Sequence, residues 1–94
     1  MRNSNFELVF EDQAQKFLRK LDRNSQGRIL AAALLLRIEP RPPKSKKVKG
    51  FDYFRIRVGD YRLIYEIHEN KLVVVVVTIG HRKNVYDKLN KLKP

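Results

Sequence analysis

Between Tyr53 and His68 the side chains alternate with a period of two, and the alternation folds back on itself at Gly59-Asp60. Phe54, Ile56 and Val58 point one way, while Tyr53, Arg55 and Arg57 point the other. Past the turn, Tyr61, Leu63, Tyr65 and Ile67 continue the apolar face, and Arg62, Ile64, Glu66 and His68 share the opposite one. Glycine at the first central position suits a type II′ turn, the kind that closes a two-residue hairpin. Glu69-Asn70 reads as a second tight turn, and Leu72 to Ile79 as a central strand, β-branched and apolar on both faces, that ends at Gly80. Three hairpin-linked strands of this kind make a sheet whose apolar face must be covered.

The cover comes from the N-terminal half. Phe6, Leu8 and Phe10 alternate with Glu7 and Val9 in a short strand. Glu11 and Asp12 offer a cap and first-turn acid to a helix running to about Leu21, with Ala14, Phe17, Leu18 and Leu21 at helical spacing. Asn24 and Ser25 can cap a second helix. Its body, Ile29 to Ile38, is apolar on nearly every side, which suits a helix buried on more than one face or covered by a partner. Pro40, Pro42 and Pro43 stop it. Arg41 to Gly50 reads as a loop, either a phosphate-contacting arm with Lys47 and Lys49 or a solvated connector. Val85, Leu89 and Leu92 space a short basic helix at the end.

The expected fold class is α+β: a β-α-α-β-β-β order with a short C-terminal helix, and a twisted antiparallel sheet packed on two helices, its other face partly open. A length of 94 residues fits a single domain over 1–94. The start lacks the apolar core of a signal peptide, and no apolar run is long enough to span a bilayer, so a cytoplasmic protein with no membrane association is expected.

Charge narrows the partners. Twenty-one Lys and Arg face ten Asp and Glu, a formal +11, which suits nucleic acid or an acidic protein. There is no cysteine, only two histidines, and no pair of carboxylates at ligand spacing, so neither a metal nor another cofactor is expected.

A two-residue turn at Gly59-Asp60 sets Arg57 opposite Arg62, with Arg55 two residues along on the same face. Like charges directly opposite destabilise a hairpin, by some tenths to about 1 kcal/mol. The core gains nothing from that arrangement, so an anion is the simplest reason for it, arginine being a fork that matches phosphate oxygens. The alternative is neutralisation by Glu66 and Asp60, or side chains splayed into water. His81 and Arg82 follow Gly80, and Tyr86 lies four residues past Arg82, on the same side of a helical turn. Histidine exchanges protons readily near neutral pH. His68, by the far hairpin, reads as incidental.

Lys49-Gly50, the stretch from Tyr53 to Ile67 with its Gly-Asp-Tyr-Arg-Leu-Ile-Tyr-Glu-Ile run, Val77 to Arg82, and Val85-Tyr86 resemble the RelE branch of the RelE/ParE toxin superfamily. The likeness covers essentially the whole chain. It implies the toxin of a type II toxin–antitoxin system, a ribosome-dependent endoribonuclease that cleaves messenger RNA in the decoding site. It also implies a RelB-type antitoxin, through which the complex binds its own operator DNA. By motif, Arg62 matches the family's sheet arginine, Arg82 the arginine after the last strand, and Tyr86 the C-terminal tyrosine. The spacing from Arg82 to Tyr86 is shorter than in some relatives. Arg55 and Arg57 fall where relatives carry basic residues, often lysines, and arginine cannot readily give up a proton. His81 stands where relatives have lysine or histidine.

A metal-free ribonuclease can use the RNA's own 2′-hydroxyl as nucleophile, leaving a 2′,3′-cyclic phosphate and a 5′-hydroxyl. In that scheme Arg62 and Arg82 stabilise the developing charge, and Arg55, Arg57, Lys47 and Lys49 hold the backbone. His81 or Tyr86 moves protons, or Tyr86 stacks on a base. Two other readings stay open: a ParE-like gyrase poison without nuclease activity, and a basic sheet that holds RNA without cutting it.

Overall fold

The structure, a computed structural model, describes residues 5–92, the side chain of Leu92 excepted. The elements run β1 (Glu7–Phe10), α1 (Asp12–Arg19), α2 (Arg23–Leu35), β2 (Lys46–Lys47), β3 (Phe54–Val58), β4 (Tyr61–His68), β5 (Val73–His81) and α3 (Val85–Leu92). The strands form one sheet in the order β1-β5-β4-β3-β2.

The hairpin at Gly59-Asp60 has the expected register, with Val58 opposite Tyr61 and Arg57 opposite Arg62. Gly59 has φ +60°, whereas Asp60 does not enter the positive region, which makes the turn type II′. The next connection is longer than two residues. It spans 69–72, with Leu72 at φ +54°, so β5 starts at Val73.

Two of these expectations are corrected. The sheet is mixed rather than antiparallel, because β1 pairs parallel with β5, Glu7 against Val73 and Phe10 against Val76. Parallel neighbours need a long crossover, and α1 with α2 begins it by carrying the chain toward the far edge. The segment read as a loop contains β2, which pairs antiparallel with β3. The second face of the sheet is partly open, as expected, with α3 covering part of it.

The main core lies between α1, α2 and the sheet, built by Ala14, Ile29, Ala33, Leu36, Ile56, Leu63, Tyr65, Val74, Val76 and Ile79. Val76 and Ile79 differ in parity yet share this face. A bulge explains it: Ile64 pairs Thr78, Tyr65 pairs Val76, and Val77 is skipped. On the opposite face Val48, Ile64, Val85 and Leu89 form a second cluster with Phe51 and Tyr53, whose rings stack 5.5 Å apart.

The cap of α2 is Asp22, whose carboxylate accepts from the Ser25 N–H at 3.2 Å, two or three residues before the expected Asn24 or Ser25. That bond holds the Asp22 carboxyl below the usual aspartate value. Helix α2 buries Ile29 and Ala33, and Leu36 follows just past its end. Leu34, Leu35 and Ile38 are 51%, 63% and 70% exposed, so the apolar body is covered on one side only. No helix of the described residues is long and apolar enough to cross a membrane.

Tyr65 is fully buried, and its hydroxyl donates to the Pro40 carbonyl at 2.7 Å. Burial pushes its pKa up to about 12, which keeps it a donor. Replacing Tyr65→Phe leaves that carbonyl buried and unpaired. Urea denaturation should show a loss of about 1–3 kcal/mol; an unchanged midpoint would mean the bond contributes nothing.

Candidate nucleic-acid interface

Partners in an antiparallel ladder share a face. Arg62 pairs with Arg57 on one side and with Gly80 on the other, and Arg55 pairs with Ile64 and with Lys46. The pleat therefore gathers cations from β2, β3 and β4 on the face away from α1 and α2. They line an open basin of about 710 Å³ formed by Lys44, Lys46, Arg55, Arg57, Gly59, Asp60 and Arg62.

Five cations thus face one carboxylate, Asp60, and among the described residues none of the five forms an ion pair. Glu66, the other acid on this face, instead bonds His68 at 3.0 Å. The Nη1 of Arg62 is buried and finds no hydrogen-bond acceptor among the described residues. Leaving a buried donor unsatisfied costs about 1–3 kcal/mol, more when it is charged. An oxyanion entering the basin would meet the partly exposed side chain of Arg62 beside those of Arg55 and Arg57.

Gly80 lets α3 close on this ladder. A Cβ there would lie 3.2 Å from the Val85 Cα and 3.3 Å from the Lys88 Nζ, so an added side chain would press on α3 and require it to give by a few tenths of an ångström. Besides Val85 and Leu89, Lys88 holds α3 down: its ammonium donates to the Ile79 carbonyl at 2.9 Å and lies 3.8 Å from the Phe17 ring centroid. Burial, and secondarily Lys20, lowers its pKa from the ordinary lysine value. Docked this way, α3 presents Tyr86 to a smaller depression of about 280 Å³ shared with Lys47, Val48, Lys49 and Arg55. Arg55 lines both hollows. Lys47 also sits 3.7 Å from Asp52, an exposed pair of little energetic weight.

Of the residues singled out in the sequence, Arg55, Arg57, Arg62, Lys47, Lys49 and Tyr86 come together around these two hollows. Arg82 stands at the hairpin end of the basin, its backbone N–H donating to the Asp60 carbonyl at 2.8 Å and its side chain exposed. His81 is not brought to the basin. It pairs with Tyr61, one residue out of phase with Arg62, and its ring lies edge-on to Tyr61 at 6.2 Å. Tyr61 in turn meets Phe17 of α1 at 6.0 Å, on the helix side of the sheet. Lys44 and Lys46 were missed. Their i, i+2 spacing was the available signal, hidden because prolines mark the segment as a loop. Among the described residues no group of His, Asp or Glu side chains could hold a metal ion.

Comparison with known proteins gives this face a setting. The family described as the ParE toxin of the type II toxin–antitoxin system parDE matches residues 8–86. The chain belongs to that family of toxins. Toxin RelE3 of Methanocaldococcus jannaschii is 44% identical over 43 residues, covering 45% of this chain and 47% of the relative, so the match spans about half the length of that curated protein. An E. coli toxin RelE variant in the free state superposes with a TM-score of 0.77 at 26% identity, covering 96% of this chain and 99% of the other. The RelBE2 toxin–antitoxin complex of Mycobacterium tuberculosis gives 0.76 at 26%, covering 86% and 95%. The archaeal RelE–RelB complex of Pyrococcus horikoshii gives 0.75 at 27%, covering 83% and 96%. Within the RelE/ParE superfamily, then, this is a RelE-type toxin.

The Arg57–Arg62 rung works against the fold that carries it. Arg57→Gln should raise stability by some tenths of a kcal/mol in low salt, with the gain fading near 1 M salt, where charges are screened. Chemical denaturation at the two salt concentrations measures both; a loss of stability in low salt would show the rung to be favourable.

Proposed function

We propose that this basic face cleaves RNA, and that the chain is a ribosome-dependent endoribonuclease that cuts messenger RNA and so inhibits translation. The observation that carries the reading is the gathering of Arg55, Arg57 and Arg62 with Lys44 and Lys46 around one open hollow, none of them in an ion pair among the described residues. A fold that tolerates such a cluster of like charges at an open hollow has it ready for an anion.

In the proposed reaction the 2′-oxygen attacks the adjacent phosphorus, the bond to the 5′-oxygen breaks, and a 2′,3′-cyclic phosphate forms. One proton leaves the 2′-hydroxyl and one reaches the departing 5′-oxygen. Arg62, with Arg82 from the end of β5, stabilises the added negative charge on the phosphoryl oxygens. Arg57 and Arg55 hold the strand, with Lys47 and Lys49 beside them. Arginine cannot serve as acid or base, and His81 faces Tyr61, so Tyr86 is assigned to proton transfer or to stacking on the exposed base. With so few proton-moving groups, the chain depends on the ribosome to orient the RNA and cleaves weakly alone. That partner sets the cytoplasm as its place of work.

A RelB-type antitoxin is the proposed inhibitor, as in the RelE–RelB complexes from P. horikoshii and E. coli. Its helix would cover the exposed stripe Leu30, Leu34, Leu35 and Ile38, and it would carry the complex to operator DNA.

Arg62→Ala should lower messenger cleavage by roughly a hundred- to a thousandfold, the usual loss for one preorganised charge donor, and relieve growth inhibition with the fold intact. Primer extension after brief expression measures the first, and circular dichroism the second. A folded variant as active as the parent would falsify the site. Gyrase inhibition in a supercoiling assay with no cleavage would point instead to a ParE-like poison, and harmless overexpression to a module that only binds.

A further inference from the structure

Two like-charged rungs, not one, cross this face. Arg57 opposes Arg62, and two residues back along β3 Arg55 opposes Lys46, with Lys44 beside it in the same basin. Same-face neighbours on a strand lie about 6.6–6.8 Å apart, close to the step between successive phosphates of an extended RNA strand. We infer that Lys44 and Lys46, with Arg55, hold a second RNA phosphate next to the one gripped at the Arg57–Arg62 rung.

Three observations support a built subsite rather than a solvated edge. First, lysines at a sheet edge often serve only to discourage pairing with other chains. Such a role needs charges directed outward, whereas Lys44 and Lys46 line the hollow alongside the arginines. Second, among the described residues neither has a carboxylate within ion-pair distance, although Asp52 lies close enough to reach Lys47. Third, Asp60, the single acid lining the basin among the described residues, stands at the hairpin end. It repels a phosphate there and leaves the β2 end as the favourable direction for the backbone. The ligand is thus single-stranded RNA carrying at least two adjacent phosphates, and a dinucleotide, with only one, leaves half the site unused. This inference rests on the RNA-binding half of the proposed function and not on cleavage.

The test uses a 2′-O-methyl hexanucleotide, which cannot be cleaved, titrated into the full chain across a salt series and followed by fluorescence anisotropy. Lys44→Ala/Lys46→Ala should weaken binding roughly tenfold and make the log–log salt slope shallower by about 0.7, the share of the one phosphate they hold. Lys44→Arg/Lys46→Arg should bind like the parent. The parent should prefer a 2′-O-methyl trinucleotide with two phosphates over a dinucleotide with one, and the double alanine variant should lose that preference. Parental affinity and slope in the alanine variant overturn the inference while leaving the nuclease reading intact. So does a loss of affinity confined to a poly-glutamate peptide of matched charge, which would assign the lysines to an acidic protein segment. RNA binding without messenger cleavage overturns the nuclease reading alone, and no RNA binding by the parent overturns both.

Discussion

The two-residue turn at Gly59-Asp60 is the constraint from which the rest follows. Because the side-chain period of a strand is two, one residue more or less in the turn would flip β4 against β3, sending Arg62 to the core side and Leu63 and Tyr65 to the other. With Gly59 at φ +60° the register is held, and Ile56, Leu63 and Tyr65 go to the helices while Arg55, Arg57 and Arg62 go to the other side. The core and the basic face are two consequences of one local geometry.

That division puts a repulsive surface on top of a well-packed layer. Ile56 and Leu63 are essentially inaccessible directly beneath the arginines, and Tyr65 is anchored to the Pro40 carbonyl. Apolar burial contributes roughly 1.5–3 kcal/mol for each fully buried large side chain, against some tenths for a like-charged rung. The sheet can therefore keep its cations close together without outside neutralisation. Natural proteins commonly break a local rule at the place where they meet a ligand, and offset it elsewhere.

What could be read from the residues alone follows where local chemistry decides. The hairpin, the three helices and the face carrying Arg57 and Arg62 were legible because glycine, proline and strict alternation leave little choice. The bulge at Val77 was not, since Val73 to Val77 are identical residues and a skipped one changes nothing in the pattern. The parallel pairing of β1 was not, because edge choice is set by where the helical crossover delivers the chain. His81 shows the same limit. Its nearness in sequence to Arg82 suggested a shared site, but the ladder pairs it with Tyr61 on the helix side. Lys44 and Lys46 entered the basin through a two-residue strand whose pairing with β3 no propensity scale would anticipate.

Lys88 ties together the layers on the two sides of the sheet. Strand β1 stops opposite Val76, so the last part of β5 has no strand beside it on that edge. Through this gap the ammonium reaches from α3, bonds the Ile79 carbonyl and rests on Phe17 of α1. It acts as a rivet between the helical side and the basic side. Tilting α1 would loosen the helix that carries Tyr86, and pulling on that helix would be felt at α1, so neither surface moves in isolation.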